Sequence, residues 1–455
     1  MIEIAPIETP SLGDRSYLAT DGSVAIVIDP QRDIDRVLAV AASRGVRITH
    51  VFETHIHNDY VTGGLALAGA VGAGYHVCAA DDVRFDRTAV ADGDQIEAGE
   101  MGVSVIATPG HTFNHLSYAV EYAGRTVAVF TGGSLLNGST GRTDLLGAEH
   151  SHDLARAQHA SVRRLAAELP PDAMVCPTHG FGSFCSATPT SGAASTIGME
   201  ATVNPALTLS EADYVDSMLA ALDVYPAYYA HMAPANAAGP PPADLAPPRQ
   251  ADSAEVRRSI QAGEWVVDLR SRVAYAAGHL RGTLSFELGD YMTTYLGWLI
   301  PWGTPLTLLG QNAAEVAAAQ RDLVRIGIDQ VLSGATSGPA DWAGGEPLRA
   351  YEVTTFAGYA RARGHREFVL LDVRRQSEWE EARIGTAVHI PLHELVGRMD
   401  EIGAGQVWVH CQSGYRASVA AGMLDAAGRD VVLIDDDFDN AKHAGIADYG
   451  AVSAR

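Results

Sequence analysis

The stretch ITHVFETHIHNDYVTGG (residues 48–64) decides how the first half of the chain is read. Its apolar opening, ITHVFE, has the character of a buried strand, so Thr54-His55-Ile56-His57-Asn58-Asp59 falls in the loop that leaves it. Two histidines at i and i+2 in a rigidly held loop both reach one ion through imidazole nitrogen, which iron and zinc accept. Three further segments follow in order: His111 in TPGHT, the run TGGSLLNGSTGRTDL (131–145), and His179 in CPTHG. Each comes after a strand-like run, which brings all of them to one sheet edge. His55, His57 and His111 are the candidate metal ligands, with Asp59 and His179 as nearby site residues.

Around this stretch, residues 1 to about 200 alternate short β-rich runs, VAIVID (24–29), VSVIATPG (103–110) and TVAVFTGG (126–133), with helical patches such as DIDRVLAVAASRG (33–45). That is an α/β pattern. The segment 204–230 reads as one helix ended by Pro226, and GPPPADLAPPRQ (239–250) as an irregular linker, which puts a first domain at 1–240. Beyond it lies an internal repeat. WVVDLRSRVAYAAGHLRGT (265–283) parallels FVLLDVRRQSEWEEARIGT (368–386), with Asp268, Arg270 and Tyr275 matched to Asp372, Arg374 and Trp379. Two further domains are therefore expected, at 250–345 and 352–455.

QVWVHCQSGYRASVAAGMLDAAG (406–428) reads as a buried strand, a tight loop and an apolar helix, with Cys411 at the handover. Loop N–H groups and the positive end of a helix dipole stabilise an anion there, which favours a nucleophilic thiolate. Arg416 adds a fixed positive charge, and Gln412, Ser413, Gly414 and Tyr415 form the cradle. A cysteine phosphatase needs five residues between Cys and Arg; here there are four, so the smaller loop suits sulfur rather than phosphate. In the middle repeat the matching strand, TPLTLLG (304–310), runs into Gln311 and Asn312 without a cysteine.

The first constellation resembles the metallo-β-lactamase fold, an αββα sandwich, and within it most resembles the persulfide dioxygenases fused to rhodaneses, through ETHIHNDYVTGG, TPGHT, GRTDLLG and PTHGFGSFC. The Cys411 loop, with LLDVR (370–374) and HIPLHEL (389–395), resembles a rhodanese over 352–450. The fold class so implied is multidomain α/β: a metallo-β-lactamase sandwich followed by two rhodanese-like α/β domains, the first without its cysteine. The resemblance implies oxidation of a thiol persulfide at one iron(II) per chain, zinc being the alternative, with His55 and His111 as iron ligands and Arg142 facing the thiol substrate. It also implies transfer of sulfane sulfur through Cys411 to or from a thiol persulfide or thiosulfate. Two positions depart from the fold's binuclear, glyoxalase II-type hydrolases: Tyr60 and Gly133 stand where a second metal takes a histidine and a bridging aspartate. Asp59 and His179 would belong to that second-metal position. The dioxygenases too use a carboxylate where Gly133 stands. Three arrangements stay open: a three-histidine site of His55, His57 and His111, a carboxylate from Asp59, or a domain that holds metal weakly. A thioesterase, or a sulfurtransferase with a degenerate metal domain, are the alternative functions.

Composition limits the partners. A formal net charge of -23 over 455 residues leaves no basic face for nucleic acid. Four cysteines, Cys78, Cys176, Cys185 and Cys411, form no CxxC, so neither a disulfide framework nor a thiolate zinc site is expected. A reducing, cytoplasmic setting fits that usage, and a homodimer is the default assembly. The start, MIEIAPIETP, lacks signal-peptide character, and the apolar stretch 295–310 is interrupted by Gly297, Pro301, Gly303 and Pro305, as a core segment and not a membrane span.

Overall fold

The structure, a computed structural model, describes residues 2–188, 190 and 192–449. The chain divides into two compact units: residues up to Asp244 with Val324–Gly327, and Leu245–Leu323 with the residues from Ile328 onward.

The first unit holds two six-stranded sheets. One runs, in sequence order, Glu3–Thr9, Asp14–Thr20, Val24–Ile28, Arg47–Phe52, Gly74–Cys78 and Thr88–Val90; the other is ordered Ser195–Thr196, Met174–Pro177, Arg125–Gly132, Leu116–Tyr122, Met101–Ala107 and Gln95–Ala98. Side chains alternate across each strand, and both faces are buried. Ile26 and Ile28 meet Tyr118 and Phe130 between the sheets. Ala25 and Val27 face outward against Val37 and Ala41 of helix Asp35–Arg44 and Leu67 of helix Gly64–Val71. On the other side Ala119 and Val129 pack on Ala155, Val162 and Leu165 of helix Ser151–Glu168. This two-sided burial is why VAIVID is continuously apolar, and it makes the expected αββα sandwich. Each fully buried aliphatic side chain contributes about 1.5–3 kcal/mol.

The single helix expected over 204–230 is instead broken. Helix Pro205–Thr208 stops, Ser210 caps a new helix Glu211–Ala221 by accepting the Asp213 N–H, and a further helix, Tyr229–Ala238, follows Pro226. The linker expectation also needs correcting at its end, because Arg249–Gln250 pairs in parallel with Ser333–Gly334 as an edge strand.

The second unit contains two five-stranded sheets of the same topology. The first is ordered Arg249–Gln250, Val331–Ala335, Leu306–Leu309, Trp265–Asp268 and Leu284–Ser285; the second Glu352–Thr354, Val431–Ile434, Val407–His410, Val369–Asp372 and Val388–His389. All pairings in both are parallel. The repeat extends to single hydrogen bonds. Arg270 Nη2 donates to Asp268 Oδ2 at 2.6 Å and to the Gly278 carbonyl at 2.9 Å. Arg374 Nη2 donates to Asp372 Oδ2 at 2.6 Å and to the Ala382 carbonyl at 2.8 Å. Asp268 lies opposite Leu309 and Asp372 opposite His410, so Gly310 stands where the other copy has Cys411. The apolar stretch 295–310 supplies the helix Met292–Leu299 and the strand Leu306–Leu309, and no described helix is long and apolar enough to cross a membrane.

Candidate functional site

In the first unit every site segment leaves the C-terminal end of a strand. His55, His57 and Asp59 follow Arg47–Phe52, His111 follows Met101–Ala107, Gly133 follows Arg125–Gly132, and His179 follows Met174–Pro177. Ligand atoms of His55, His111 and His179 lie within 4.8 Å of one another, as do those of His57, Asp59 and His179, and those of Asp29, Glu53 and His57. All of these side chains are buried.

The hydrogen bonds orient each ring. Thr54 Oγ1 donates to Asp29 Oδ2 at 2.7 Å, so its oxygen accepts from His55 Nδ1 at 2.9 Å. His111 Nδ1 donates to the Arg142 carbonyl at 2.8 Å. His179 Nδ1 faces Asp14 Oδ1 at 2.9 Å and Asp59 Oδ2 at 3.1 Å. All three rings thereby turn Nε2 inward, with 3.5 Å between the Nε2 atoms of His55 and His179. His57 Nε2 is turned the other way, to Glu53 at 3.2 Å and Asp29 at 3.3 Å, with Tyr60 Oη at 3.0 Å. His179 thus joins His55 and His111 at the site, while His57, whose Nε2 is taken by two buried carboxylates, keeps an unpartnered Nδ1 and groups with Asp59 and His179. His115, which the sequence reading passed over, is used on both sides, by Thr108 Oγ1 at 2.9 Å and by the Gly133 N–H at 3.0 Å.

The residues fit a metal ion. His111 Nε2, His57 Nδ1 and Asp59 Oδ1 are buried with no hydrogen-bond partner among the described residues, and leaving such groups unpaired costs roughly 1–3 kcal/mol each. Imidazole nitrogens with an adjacent carboxylate suit iron or zinc. Burial pushes His55 well below its ordinary pKa and His111 down to about 3, so both are neutral, as ligands must be. Burial also opposes charge on His57 and His179, yet Asp29 and Glu53 raise His57 to about 9, while Asp59 and Asp14 hold His179 well up. Burial pushes Asp14 up to about 7, helped by Asp59; Asp59 itself is kept well below the carboxylate range by His179 in spite of burial.

Gly133 has a steric role. A Cβ there would stand 2.2 Å from His111 Cδ2, so the His111 ring occupies the space that a side chain at 133 would need. Arg142, expected to face the thiol substrate, is held by its neighbours. Its guanidinium pairs with Asp144 at 2.7 and 2.8 Å, donates to the carbonyls of Phe184 and Asp223, and lies over the Tyr225 ring, so it ties loops together. Cys185 is buried beside Asp59 and 3.8 Å from Tyr229 Oη, and burial pushes its thiol well up. Cys176 lies in the inter-sheet core.

In the second unit Cys411, 1% exposed, ends strand Val407–His410, and the loop through Gly414 leads into helix Tyr415–Ala426. Gly414 has φ +90°, and a Cβ there would meet Asp435 Oδ1 at 1.9 Å, so the loop requires glycine. Arg416 is not a free charge at the rim. Glu378 grips it with two bonds of 2.5 and 2.7 Å, and that pairing, against burial, holds the Glu378 carboxyl down at about 2. The cysteine-free copy leans over this loop. Tyr415 Oη donates to the Glu287 carbonyl at 3.1 Å, and Trp298 stacks on His393 at 5.0 Å. The cavity lined by Tyr295, Trp298, His393 and Arg416 measures about 10 Å³, enough for one water.

Residues 14–179 match the Metallo-beta-lactamase superfamily, and residues 357–444 match the Rhodanese-like domain. The chain is 30% identical over 209 residues to the mitochondrial persulfide dioxygenase ETHE1 of Homo sapiens, covering 46% of this chain and 74% of that protein. It is 33% identical over 181 residues to a hydroxyacylglutathione hydrolase of Cereibacter sphaeroides, over 38% of this chain and 66% of that one. Against two further such hydrolases it spans 60% and 65% of their length. Among solved structures, the metallo-beta-lactamase from Staphylococcus aureus subsp. aureus COL superposes with a TM-score of 0.66 at 27% identity, covering 74% of this chain and 99% of that chain. Matching a metal-site fold at one end and a sulfur-transfer fold at the other, the chain belongs to the metallo-β-lactamase superfamily, as a persulfide dioxygenase homologue fused to a rhodanese-like domain.

Proposed function

We propose that the first unit oxidises the sulfane sulfur of a low-molecular-weight thiol persulfide at a single iron(II), and that Cys411 handles the same sulfur by transfer. The observation that carries this reading is the donor set: three imidazole Nε2 atoms meet in one buried pocket, while Tyr60 and Gly133 stand where a second metal and its bridge need a histidine and an aspartate. His55, His57, His111 and His179 offer the nitrogens that would hold the ion, His57 through its unpartnered Nδ1, with Asp59 beside them. Bound iron(II) would supply the redox centre for dioxygen, whereas zinc would supply only a Lewis acid. The chain's own part is to fix the rings: Thr54, the Arg142 carbonyl and Asp14 each take one ring N–H and leave Nε2 free, as partners behind metal ligands do.

At the second centre the Cys411 thiolate attacks the outer sulfur of the donor. The donor S–S bond breaks, Cys411 keeps the sulfur as a persulfide, and the donor leaves as thiolate, or as sulfite when it is thiosulfate. Gln412 to Tyr415 offer N–H groups to that sulfur, and Arg416 closes the loop's rim.

The test is elemental analysis of anaerobically purified protein beside a His55→Ala/His111→Ala variant, followed by oxygen uptake on glutathione persulfide. About one iron per chain, lost in the variant, with uptake, is expected. Iron-loaded protein that consumes no oxygen would sink the dioxygenase reading. The hydroxyacylglutathione hydrolase relatives favour one second reading, metal-dependent thioester hydrolysis. Thioester turnover that survives Cys411→Ser and disappears on His111→Ala would establish it. Protein without metal but with intact thiosulfate:cyanide transfer would leave Cys411 as the only active centre.

A further inference from the structure

The cysteine-free copy carries a cavity of about 440 Å³ lined by Arg257, Ile260, Leu280, Arg281, Pro347 and Arg349, among others. Its walls come from helix Ser253–Gln261 and the turn after helix Arg272–Ala277, segments that lead into strands, whereas Gly310 lies in a loop that leaves one. The volume is that of a small-molecule pocket.

Three arginines line it in a chain with 32 basic and 55 acidic residues. Arg281 has no ion pair among the described residues. Arg257 reaches Glu346, an acid that also lines the cavity, only at 3.9 Å, and Glu346 is 67% exposed. Arg349 bonds Asp425 Oδ1 at 2.8 Å through one of its nitrogens and stays 45% exposed. The floor is apolar: Leu280, 5% exposed, with Ile260, Ala343 and Pro347 around it.

The duplicated fold does not itself require these charges. Helix Ser253–Gln261 and helix Phe356–Ala362 align through their capping residues, Asp252 and Thr355, which match buried Val256 to buried Tyr359 and Arg257 to Ala360. The arginine clamps match Gly278 to Ala382, and so Arg281 to Gly385. One copy thus has alanine and glycine where the other has arginines lining a cavity.

We propose that this cavity binds a small organic anion, a phosphate or carboxylate head held by Arg281, Arg257 and Arg349 with an apolar body on Leu280, Ile260 and Pro347. Guanidinium groups suit both heads through paired N–H donors. The site lies outside both centres described above and stands whether or not the first unit oxidises persulfides.

Calorimetric titration of the full chain tests it, with ADP as the phosphate probe and phthalate as the carboxylate probe. Saturable one-to-one binding of at least one probe is expected, weakened about tenfold or more by Arg281→Gln and again by Arg257→Gln, and weakened by added salt. Arg349 is left intact because it also holds Asp425, and unchanged thiosulfate:cyanide transfer in both variants shows that the fold persists. The probe that binds identifies the head group. Neither probe binding below roughly 10 mM, or binding that both arginine variants leave unchanged, overturns the proposal.

Discussion

The two copies of the repeated five-stranded fold differ at the loop after their central strand and agree in the sheet around it. Both keep an aspartate-arginine clamp between a strand end and the following helix, with matching bonds to within 0.1 Å at the shared carboxylate and carbonyl contacts. At the loop they part. In the first copy the Gln311 N–H donates to the chain's own Glu315 carboxylate at 2.8 Å, and Gly310 stands at the nucleophile's position. In the second, Cys411 stands at the strand end, the loop through Gly414 leads into helix Tyr415–Ala426, and Arg416 lies five residues on. An internal acid thus engages the loop in one copy, while the other presents a cysteine at the same position. The copies therefore share the clamp and the sheet but not the cysteine.

The largest effect should come from Cys411→Ser, which lowers thiosulfate:cyanide transfer by at least about a thousandfold. Gly310→Cys in that background should restore none, since a Cβ at 310 meets Val316 Cγ2 at 3.0 Å and Glu315 holds the loop N–H. Transfer by the double variant would break the distinction between the copies.

Next are the clamps. Arg374→Ala strands a buried aspartate and should cost about 3–5 kcal/mol in urea unfolding. Arg270→Ala should cost less, because Arg374 is the more buried and lies 3.5 Å from the Phe438 ring centroid, against 5.3 Å between Arg270 and Trp342. The reverse ranking would show that the copies do not share one stabilising design.

Acid sensitivity should belong to the copy that carries Cys411. Glu378 is lowered from 4.5 to about 2, by Arg416 against burial. A carboxyl depressed on folding adds stability above its unfolded pKa and loses it as pH falls towards its folded one, so the contribution fades between about pH 4.5 and 2. Glu378→Gln should remove up to about 2–3 kcal/mol at pH 7 and flatten that part of the profile. An unchanged slope from pH 5 to 2 would contradict the pairing.

The smallest effect tests the contact between the copies. Tyr415→Phe deletes the bond to the Glu287 carbonyl and should cost about 1 kcal/mol. If unfolding is unchanged while sulfur transfer accelerates, the contact restrains access to Cys411 and adds no stability.

The ordered histidine motifs, the strand-loop-helix around Cys411 and the Asp-x-Arg repeat were legible because each is local: a strand's end, a glycine turn and a helix start lie within a dozen residues. The apolar runs likewise identified the two-sided strands of the sandwich. Other features were not legible. His57 carries a ligand-like spacing, but its Nε2 is engaged by Asp29 and Glu53 and only Nδ1 is left to the site, while His179 joins His55 from 124 residues away and takes its ring partner, Asp14, from 165. Arg142 looks like a substrate residue until Asp144 and two distant carbonyls engage it. Even the broken helix at Ser210 turned on one capping hydroxyl against a favourable apolar pattern.

The sequence by itself thus determined the α/β class, the strand ends that carry each reactive group and the loss of the nucleophile in one copy, because periodicity and turn chemistry act over a few residues. Which nitrogen of which histidine points inward, what neutralises Arg416 and how closely Cys411 is covered were decided by the tertiary structure alone. Those outcomes depend on partners brought together by chain closure, and buried polar groups take their orientation from whichever partner the fold supplies.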